Sequence, residues 1–236
     1  MKNTFLSLVV LIGLIPGTGF KSYSQNTPEK VPIFSVGADI KKGYYWRGLD
    51  LEHKGSFQPY LEATFNNFTL GTWSAFRITG GGSDEIDLYV SKEVGPVTIT
   101  LFDYWSYRKD VPSCYFDFDR QTTSHLLECQ VTLSGGEKIP INFLTSWLAW
   151  GSDPSGSIYL ELEYVQSLFE GEALLYAGYQ AKGNYYAEKP AFVSTGVQIT
   201  YPLTFVKKNN LEIFADFMGN PYNKKLFFNF GLSFYR

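Results

Sequence analysis

The sequence predicts an all-β protein, a single closed antiparallel up-and-down transmembrane β-barrel of about twelve strands. Three observations lead to this fold class. Apolar and polar residues alternate over segments of roughly nine to eleven residues, the length that a tilted transmembrane strand needs. No run of ~20 apolar residues follows the N-terminal segment, so no helix is expected to cross a membrane. Tight turns alternate with longer polar loops between the segments, as in bacterial outer-membrane barrels.

The N-terminal segment has the features of a secretory signal peptide. Lys2 precedes an apolar run over residues 5–15, which is too short to span a bilayer. Small residues at positions 22 and 24 suit a signal peptidase, so we expect cleavage before Gln25. The predicted organisation is a signal peptide over residues 1–24, a periplasmic N-terminal tail over 25–32 and an outer-membrane β-barrel over 33–236.

Residues 57–77 show the alternation most clearly. In residues 57–65 an apolar residue stands at every second position, which places one set of side chains on each face of a strand. Asn66 and Asn67 tolerate the positive φ that a tight hairpin turn needs. Residues 68–77 then run back. We therefore expect a long antiparallel hairpin with one apolar face and one polar face.

The same pattern recurs along the rest of the chain. The predicted strands span residues 34–41, 57–65, 68–77, 85–91, 97–107, 127–134, 141–150, 158–164, 173–179, 193–201, 211–217 and 228–234. Connections after the even-numbered strands are mostly tight, and those after the odd-numbered strands are mostly longer and polar, the longest over residues 108–123. Short turns and both termini are therefore expected in the periplasm, with the longer loops outside.

Aromatic residues fall near the predicted strand ends, where the interfacial girdles of a membrane barrel lie. They include Trp46, Phe65, Phe68, Trp105, Trp150 and Tyr201. Phe occupies most of the alternating apolar positions of the last strand, which ends at Phe234 and is followed by Tyr235 and Arg236. Despite that extension, we expect the barrel-assembly machinery to recognise this strand.

Composition narrows the class of protein further. Aromatic residues make up 18% of the chain and charged residues 18%, against roughly 25% charged residues in soluble domains. Removing residues 1–24 takes away Lys2 and Lys21 and no acidic residue, so the formal charge moves from −3 to −5. That charge argues against nucleic acid as a partner. A soluble secreted barrel would also alternate, but its strands are usually only ~5–6 residues long.

Three motifs in the first half of the chain resemble those of a known family. Residues 44–49 match a Tyr-x-x-Arg-Gly-aliphatic signature, residues 71–74 a Gly-x-Trp-Ala/Ser element and residues 85–89 a Glu-aliphatic-Asp-x-Tyr element. In order and spacing they resemble the TorF-type family of outer-membrane porins, over about residues 33–107. The resemblance implies an outer-membrane barrel and supplies no catalytic residues.

If the apolar faces meet lipid, the polar faces line the lumen. The expected lumen-lining residues are Asp39, Lys41, Arg47, Glu62, Arg77, Glu85, Asp87, Glu128, Glu161, Glu163, Glu212 and Asp216. Acidic residues outnumber basic ones, so an open lumen would attract cations. This favours a narrow porin-like channel for passive diffusion of small cationic or neutral solutes.

The alternative is a non-conducting barrel that is structural or binds a partner through its loops. Twelve strands enclose much less space than the 16–18 of large porins. In that case Arg47 and Arg77 would pair with the interior acids and fill the lumen with salt bridges. The sequence does not distinguish these alternatives, and it does not indicate the oligomeric state.

Enzymatic chemistry is not expected, and neither is a cofactor. Ser124 and His125 could suggest a Ser–His lipid hydrolase, but neighbouring residues on a strand point to opposite faces. His53 lies in a polar loop without a nucleophile motif. Glu161 and Glu163 share a face and superficially resemble a catalytic carboxylate pair, although a hydrated lumen wall explains them more simply.

The long loop raises two further questions. Asp117 and Asp119 could bind calcium, although no dense Cys/His metal pattern accompanies them. Cys114 and Cys129 would share an oxidising compartment, where a disulfide could tie the loop to the wall. However, Cys129 alternates with apolar neighbours and is expected to face lipid, so we expect both cysteines to be unpaired.

Overall fold

The structure, a computed structural model, describes residues 11–13, 19–21, 31–79, 83–108, 114–136, 139–204 and 210–236. Most of the predicted signal peptide and of the N-terminal tail lies outside these residues. Within the N-terminal segment, two short strands, β1 (Leu11–Gly13) and β2 (Gly19–Lys21), pair in antiparallel fashion. No helix long and apolar enough to cross a membrane occurs in the described part of the chain.

Twelve strands close into one antiparallel barrel, which confirms the predicted fold class. They are β3 (Ile33–Lys41), β6 (Ser56–Phe65), β7 (Phe68–Arg77), β8 (Ser83–Val94), β9 (Val97–Arg108), β10 (His125–Ser134), β11 (Ile141–Gly151), β12 (Ile158–Leu168), β13 (Gly171–Lys182), β14 (Ala191–Pro202), β15 (Asn210–Asn220) and β16 (Lys225–Tyr235). Each pairs with its sequence neighbours in the wall, and the first strand closes on the last, as in an up-and-down barrel.

The first and last wall strands seal the barrel. Ala38 of β3 lies opposite Phe234 of β16. The backbone N–H of Arg236 donates to the carbonyl oxygen of Val36 at 2.8 Å, and the reverse bond measures 3.1 Å. Closure leaves no free sheet edge, which a barrel in lipid requires because its backbone polar groups have no water to bond.

The two ends of the barrel differ, as predicted. One end carries short turns, including Asn66 and Asn67, whose φ values of 50° and 62° suit the tight β6–β7 hairpin. The other end, the long-loop end, carries most of the longer connections. Both Ile33 and Tyr235 lie at the short-turn end, because an even number of wall strands returns the chain to its starting side.

Polarity across the wall is inverted relative to a soluble barrel. Along β12, the side chain of Leu162 is 53% exposed on the outside, whereas Glu161 and Glu163 are 2% and 1% exposed on the inside. The predicted apolar residues of the last strand, from Phe228 to Phe234, are likewise exposed. The apolar faces therefore form the outer surface and the polar faces the interior, as the alternation predicted.

Residues 44–52 correct one prediction. They were expected to lie in the longer outer connection between the first two predicted strands, with Trp46 in the interfacial girdle. Instead they form a separate hairpin, β4 (Tyr44–Trp46) and β5 (Leu49–Glu52), that pairs with no wall strand. All three residues of β4 are buried, and Trp46 belongs to the interior aromatic cluster. Strand alternation could not reveal this fold, because the interior partners come from distant strands.

Candidate functional site

The turn of the β4–β5 hairpin lies deep inside the barrel. Arg47 has a φ of 49° and Gly48 a φ of 80°, as in a two-residue hairpin turn with both residues left-handed. A Cβ at Gly48 would collide with the carbonyl oxygen of Val193 in the wall, so only glycine fits this approach. Asn220 secures the turn by donating its side-chain amide to the Gly48 carbonyl at 3.0 Å.

Arg47 projects from this turn into a ring of acceptors. Its guanidinium makes a two-pronged contact with Glu128 of β10, with Nη1–Oε2 at 2.6 Å and Nη2–Oε1 at 2.8 Å. Nη1 also donates to Ser146 Oγ at 3.0 Å and to the Tyr186 hydroxyl at 2.7 Å. Both charged side chains are almost fully buried. Parallel arginine–carboxylate bonds of this kind combine strong attraction with a fixed orientation.

Aromatic rings enclose the ion pair. The guanidinium carbon of Arg47 lies 4.6 Å from the ring centroids of both Trp46 and Tyr159. Contacts of this kind add cation–π attraction to the ion pair. Tyr186 packs against both rings, at 5.5 Å from Trp46 and 5.3 Å from Tyr159. We call this group, Trp46, Arg47, Glu128, Tyr159 and Tyr186, the Arg47 layer.

Gln180 positions the segment that supplies Tyr186. Its fully buried side chain accepts hydrogen bonds from the backbone N–H groups of Tyr186 and Ala187, at 2.7 and 3.2 Å. It also donates to the Ala187 carbonyl at 2.6 Å. Residues 183–190, expected to form a polar outer loop, therefore turn partly inward. The sequence carried no signal for this, since a Tyr in a polar loop has no periodic pattern.

Further contacts tie the hairpin, and the residue before it, to β8 and β16. The Tyr44 hydroxyl donates to Glu85 Oε1 on β8 at 2.6 Å. The Asn229 side chain on β16 accepts from the Gly43 N–H at 3.1 Å and donates to the Gly43 carbonyl at 3.3 Å. The hairpin thus crosses the lumen and is held from several directions.

A pocket of about 380 Å³ lies between the hairpin and strands β8, β9 and β10, near the long-loop end. Trp46, Tyr104 and Tyr185 form its aromatic walls. Hydroxyl-bearing side chains, Ser106 among them, alternate with these rings, and Glu85 supplies a carboxylate. We call this space the outer pocket.

The structure places the predicted lumen residues inside the barrel or at its rim. Buried ones are Asp39, Lys41, Arg47, Asp87, Glu128, Glu161, Glu163, Glu212 and Asp216, and partly buried ones are Glu62, Arg77 and Glu85. Basic residues among them are paired: Lys41 Nζ lies 3.1 Å from Asp39 Oδ2, and Arg77 Nε lies 3.0 Å from Asp84 Oδ1 at the rim. Of the two arginines in the expected salt-bridge network, Arg47 reaches an acid of the predicted set across the lumen, whereas the described partner of Arg77 is Asp84 at the rim.

Several interior carboxylates have no basic partner. Among the described residues, no Lys or Arg forms a salt bridge with Glu161, Glu163, Glu85 or Asp87. Glu161 accepts the Tyr159 hydroxyl, and Glu163 accepts the Asn142 side-chain amide at 3.1 Å. The interior therefore carries an excess of acidic groups on both sides of the Arg47 layer.

Ser124 and His125 face opposite sides of the wall. Ser124 lines the outer pocket, whereas the His125 ring contacts Asp103 Oδ1 at 2.7 Å and the Tyr115 carbonyl oxygen at 2.6 Å. Phe118 stacks on the imidazole at 4.7 Å between centroids. His125 thus holds the described part of the long loop against the barrel, and it is not positioned to activate Ser124.

The remaining candidate residues of the loop have structural contacts. Asp117 accepts the Asp119 N–H at 3.1 Å, and Asp119 accepts the Gln121 N–H at 2.9 Å, as in Asx turns. The described residues contain no group of three or more His, Cys, Asp or Glu side chains placed to hold a metal ion. Cys114 and Cys129 are both free thiols.

A closed, even-numbered antiparallel barrel with an apolar outside and a polar inside has the architecture of outer-membrane porin-like proteins.

No family model matches the chain, and no curated protein matches it. Solved structures resemble its fold. A KdgM porin and a KdgM porin in complex with disordered oligogalacturonate each have a TM-score of 0.48 and 9% identity, over 86% of this chain and 98% of theirs. A bacterial polysaccharide outer membrane secretin has a TM-score of 0.43 and 10% identity, over 87% and 97%. At these identities the likeness concerns the fold alone.

Proposed function

We propose that the protein is a narrow porin-like channel of the outer membrane, through which small cationic or neutral solutes diffuse passively. The observation that carries the proposal is the inverted polarity of the barrel. Apolar faces point outward, and carboxylates that have no basic partner among the described residues point inward. In soluble proteins acidic side chains are mostly exposed, and large contiguous apolar patches on the surface are rare. The polarity of this barrel is the opposite.

Cation preference follows from the interior charges. Arg47, Lys41 and Arg77 each neutralise one acid, and carboxylates such as Glu161 and Glu163 have no basic partner among the described residues. A narrow passage with low-dielectric walls focuses the field of such groups, which raises the local concentration of cations. The Arg47–Glu128 pair is neutral as a unit and does not oppose this field.

The Arg47 layer makes the proposed channel narrow. It joins the hairpin turn to β10, β11 and the inward segment that carries Tyr186, so the lumen is constricted at this level. Solutes would pass beside the hairpin or upon its displacement. Such a constriction would exclude larger molecules.

The same layer favours a second candidate, a non-conducting barrel that is structural or binds a partner through its loops. Leu148, Tyr159 and Val193 inside the barrel are fully buried. Such packing is typical of a filled interior rather than a water-filled one. Under this alternative the Arg47 layer serves folding stability, and the external loops carry the function.

Single-channel recording of the refolded mature protein distinguishes the two candidates. The protein is inserted into a planar bilayer under a KCl gradient, after heat-modifiable migration on a denaturing gel has confirmed that the barrel is folded. We expect small discrete steps and a cation-selective reversal potential. A folded protein that gives no steps would support the filled barrel instead.

The route to the membrane forms part of the proposal. We infer that residues 1–24 are removed as a signal peptide and that the assembly machinery recognises β16. The TorF-type resemblance of residues 44–49 agrees with this location, and Arg47 and Gly48 of that motif form the interior turn. N-terminal sequencing of protein from the outer-membrane fraction should begin at Gln25.

A further inference from the structure

We propose that the outer pocket binds a small organic cation, a protonated amine or quaternary ammonium compound. The inference deepens the proposed function, on which it rests for the solute's route, because the pocket lies in the same interior above the Arg47 layer. Binding itself requires only the folded barrel. The volume of the outer pocket, about 380 Å³, lies within the range of small-molecule sites, roughly 300–1,000 Å³.

Aromatic faces form the first part of the site. Trp46 lies 5.5 Å from Tyr104 and 6.0 Å from Tyr185 between ring centroids, with interplanar angles of 59° and 81°. Because Tyr104 and Tyr185 are both steeply tilted relative to Trp46, the three rings form a corner and not a parallel stack. The negative faces of such rings attract cations, and the arrangement resembles the aromatic cages that bind quaternary ammonium groups.

Glu85 forms the second part of the site. Its Oε1 accepts the Tyr44 hydroxyl at 2.6 Å, and its Oε2 accepts the Ser106 hydroxyl at 2.5 Å. These two bonds fix the carboxylate against the pocket and use neutral donors, and no Lys or Arg among the described residues forms a salt bridge with it. A carboxylate has about four lone-pair sites, and these two bonds use two of them.

The surroundings increase the preference for positive charge. Asp87, two residues along the same face of β8, is buried, and its Oδ1 has no hydrogen-bond partner in the described structure. Among the described residues that line the pocket, none is Lys or Arg. The guanidinium of Arg47 lies over the Trp46 ring, but its charge is already neutralised by Glu128. An anion would therefore meet uncompensated acids, whereas a cation would meet complementary charge.

Isothermal titration calorimetry of the refolded protein in detergent micelles tests the inference. The probes are choline and its neutral isostere 3,3-dimethyl-1-butanol, which share a shape and differ in charge. We expect choline to bind about tenfold more tightly, in line with a desolvated cation–π and carboxylate contact. Glu85→Gln should abolish that preference, and Tyr185→Leu, which keeps an apolar wall without a π face, should reduce it.

Glu188→Gln is the matched control, because it removes an exposed acid from the segment that carries Tyr185. It should leave choline affinity unchanged. Equal binding of the two probes, no binding of choline to folded protein, or wild-type choline affinity in both pocket variants would overturn the proposal. Tighter binding of glucose than of choline would also overturn it. Choline binding without channel steps would instead reject the proposed function alone, and steps without choline binding would reject the pocket alone.

Discussion

At the residue scale, the interior depends on how one cation is satisfied. Arg47 is buried at a hairpin turn, and its charge is balanced by Glu128 through two parallel hydrogen bonds. Transferring both charges out of water costs free energy. The two parallel hydrogen bonds, together with the neighbouring neutral groups, offset this cost. The pair therefore specifies where the hairpin turn sits, more than it adds net stability.

Arg47→Ala should lower the free energy of unfolding by about 3–5 kcal/mol, because it leaves Glu128 buried without a partner. Adding Glu128→Ala should restore part of that loss, since the uncompensated charge is gone. Thermal unfolding of refolded protein, followed by circular dichroism, measures both variants. Arg47→Lys is the control, because it keeps the positive charge but cannot form the two parallel hydrogen bonds to Glu128. Purely additive effects of the two Ala substitutions would contradict this account.

We expect Glu161 and Glu163 to set the charge selectivity of the proposed channel. Replacing both with Gln removes two interior charges with little change of shape, so the reversal potential in a KCl gradient should move toward the non-selective value. Glu188→Gln removes one exposed charge from the segment 183–190 and should leave the reversal potential unchanged. An unchanged potential in the double variant would mean that these carboxylates do not face the conducting path.

At the element scale, the β4–β5 hairpin is the unit that converts an empty barrel into a constricted one. It pairs with no wall strand and is held by side chains on β8, β10, β15 and β16. Because it contributes no wall hydrogen bonds, the barrel can close without it. The wall and its constriction are thus separable parts of the fold.

Replacing residues 44–52 with a short Gly-Ser linker should leave a folded barrel with a larger single-channel conductance. The physical reason is that the hairpin occupies the lumen while the twelve wall strands keep their pairing. Planar-bilayer recording measures the step size, and gel mobility before and after heating reports folding. Steps of wild-type size from a folded variant would show that the hairpin is not the constriction.

At the scale of the whole molecule, inverted polarity decides the environment. A soluble barrel gains stability by enclosing apolar residues, whereas this one presents them outside and encloses acids. The arrangement is stable only where the outside is itself apolar. The free-energy cost of placing a charged residue on the outer face therefore depends on its position along the strand.

Leu162→Arg places a charge on the outer face near the middle of β12 and should destabilise the barrel in lipid by about 2–4 kcal/mol. Leu168→Arg, on the same face but at the short-turn end of that strand, should cost only about 0–1 kcal/mol. Folded fractions of both variants in lipid vesicles measure the difference. Equal tolerance of both substitutions would argue for a soluble barrel.

Much of the wall could be predicted from the sequence, and part of the interior could not. Alternation in β12 assigned Leu162 to the outside and Glu161 to the inside, because a strand repeats every two residues. Asn66 and Asn67 marked a turn for the same local reason. Tyr186 and Gln180 were missed as interior partners, since one lies in an aperiodic loop and the other acts through backbone contacts.

The sequence by itself determined the fold class, the number of wall strands and which face of each strand is apolar. These properties depend on neighbouring residues, whose relation the period of a strand defines. Only the tertiary structure decided that residues 44–52 fold inward, that Arg47 meets Glu128 and that aromatic rings enclose the outer pocket. Those contacts join residues far apart in the chain, and their geometry exists only once the barrel has closed.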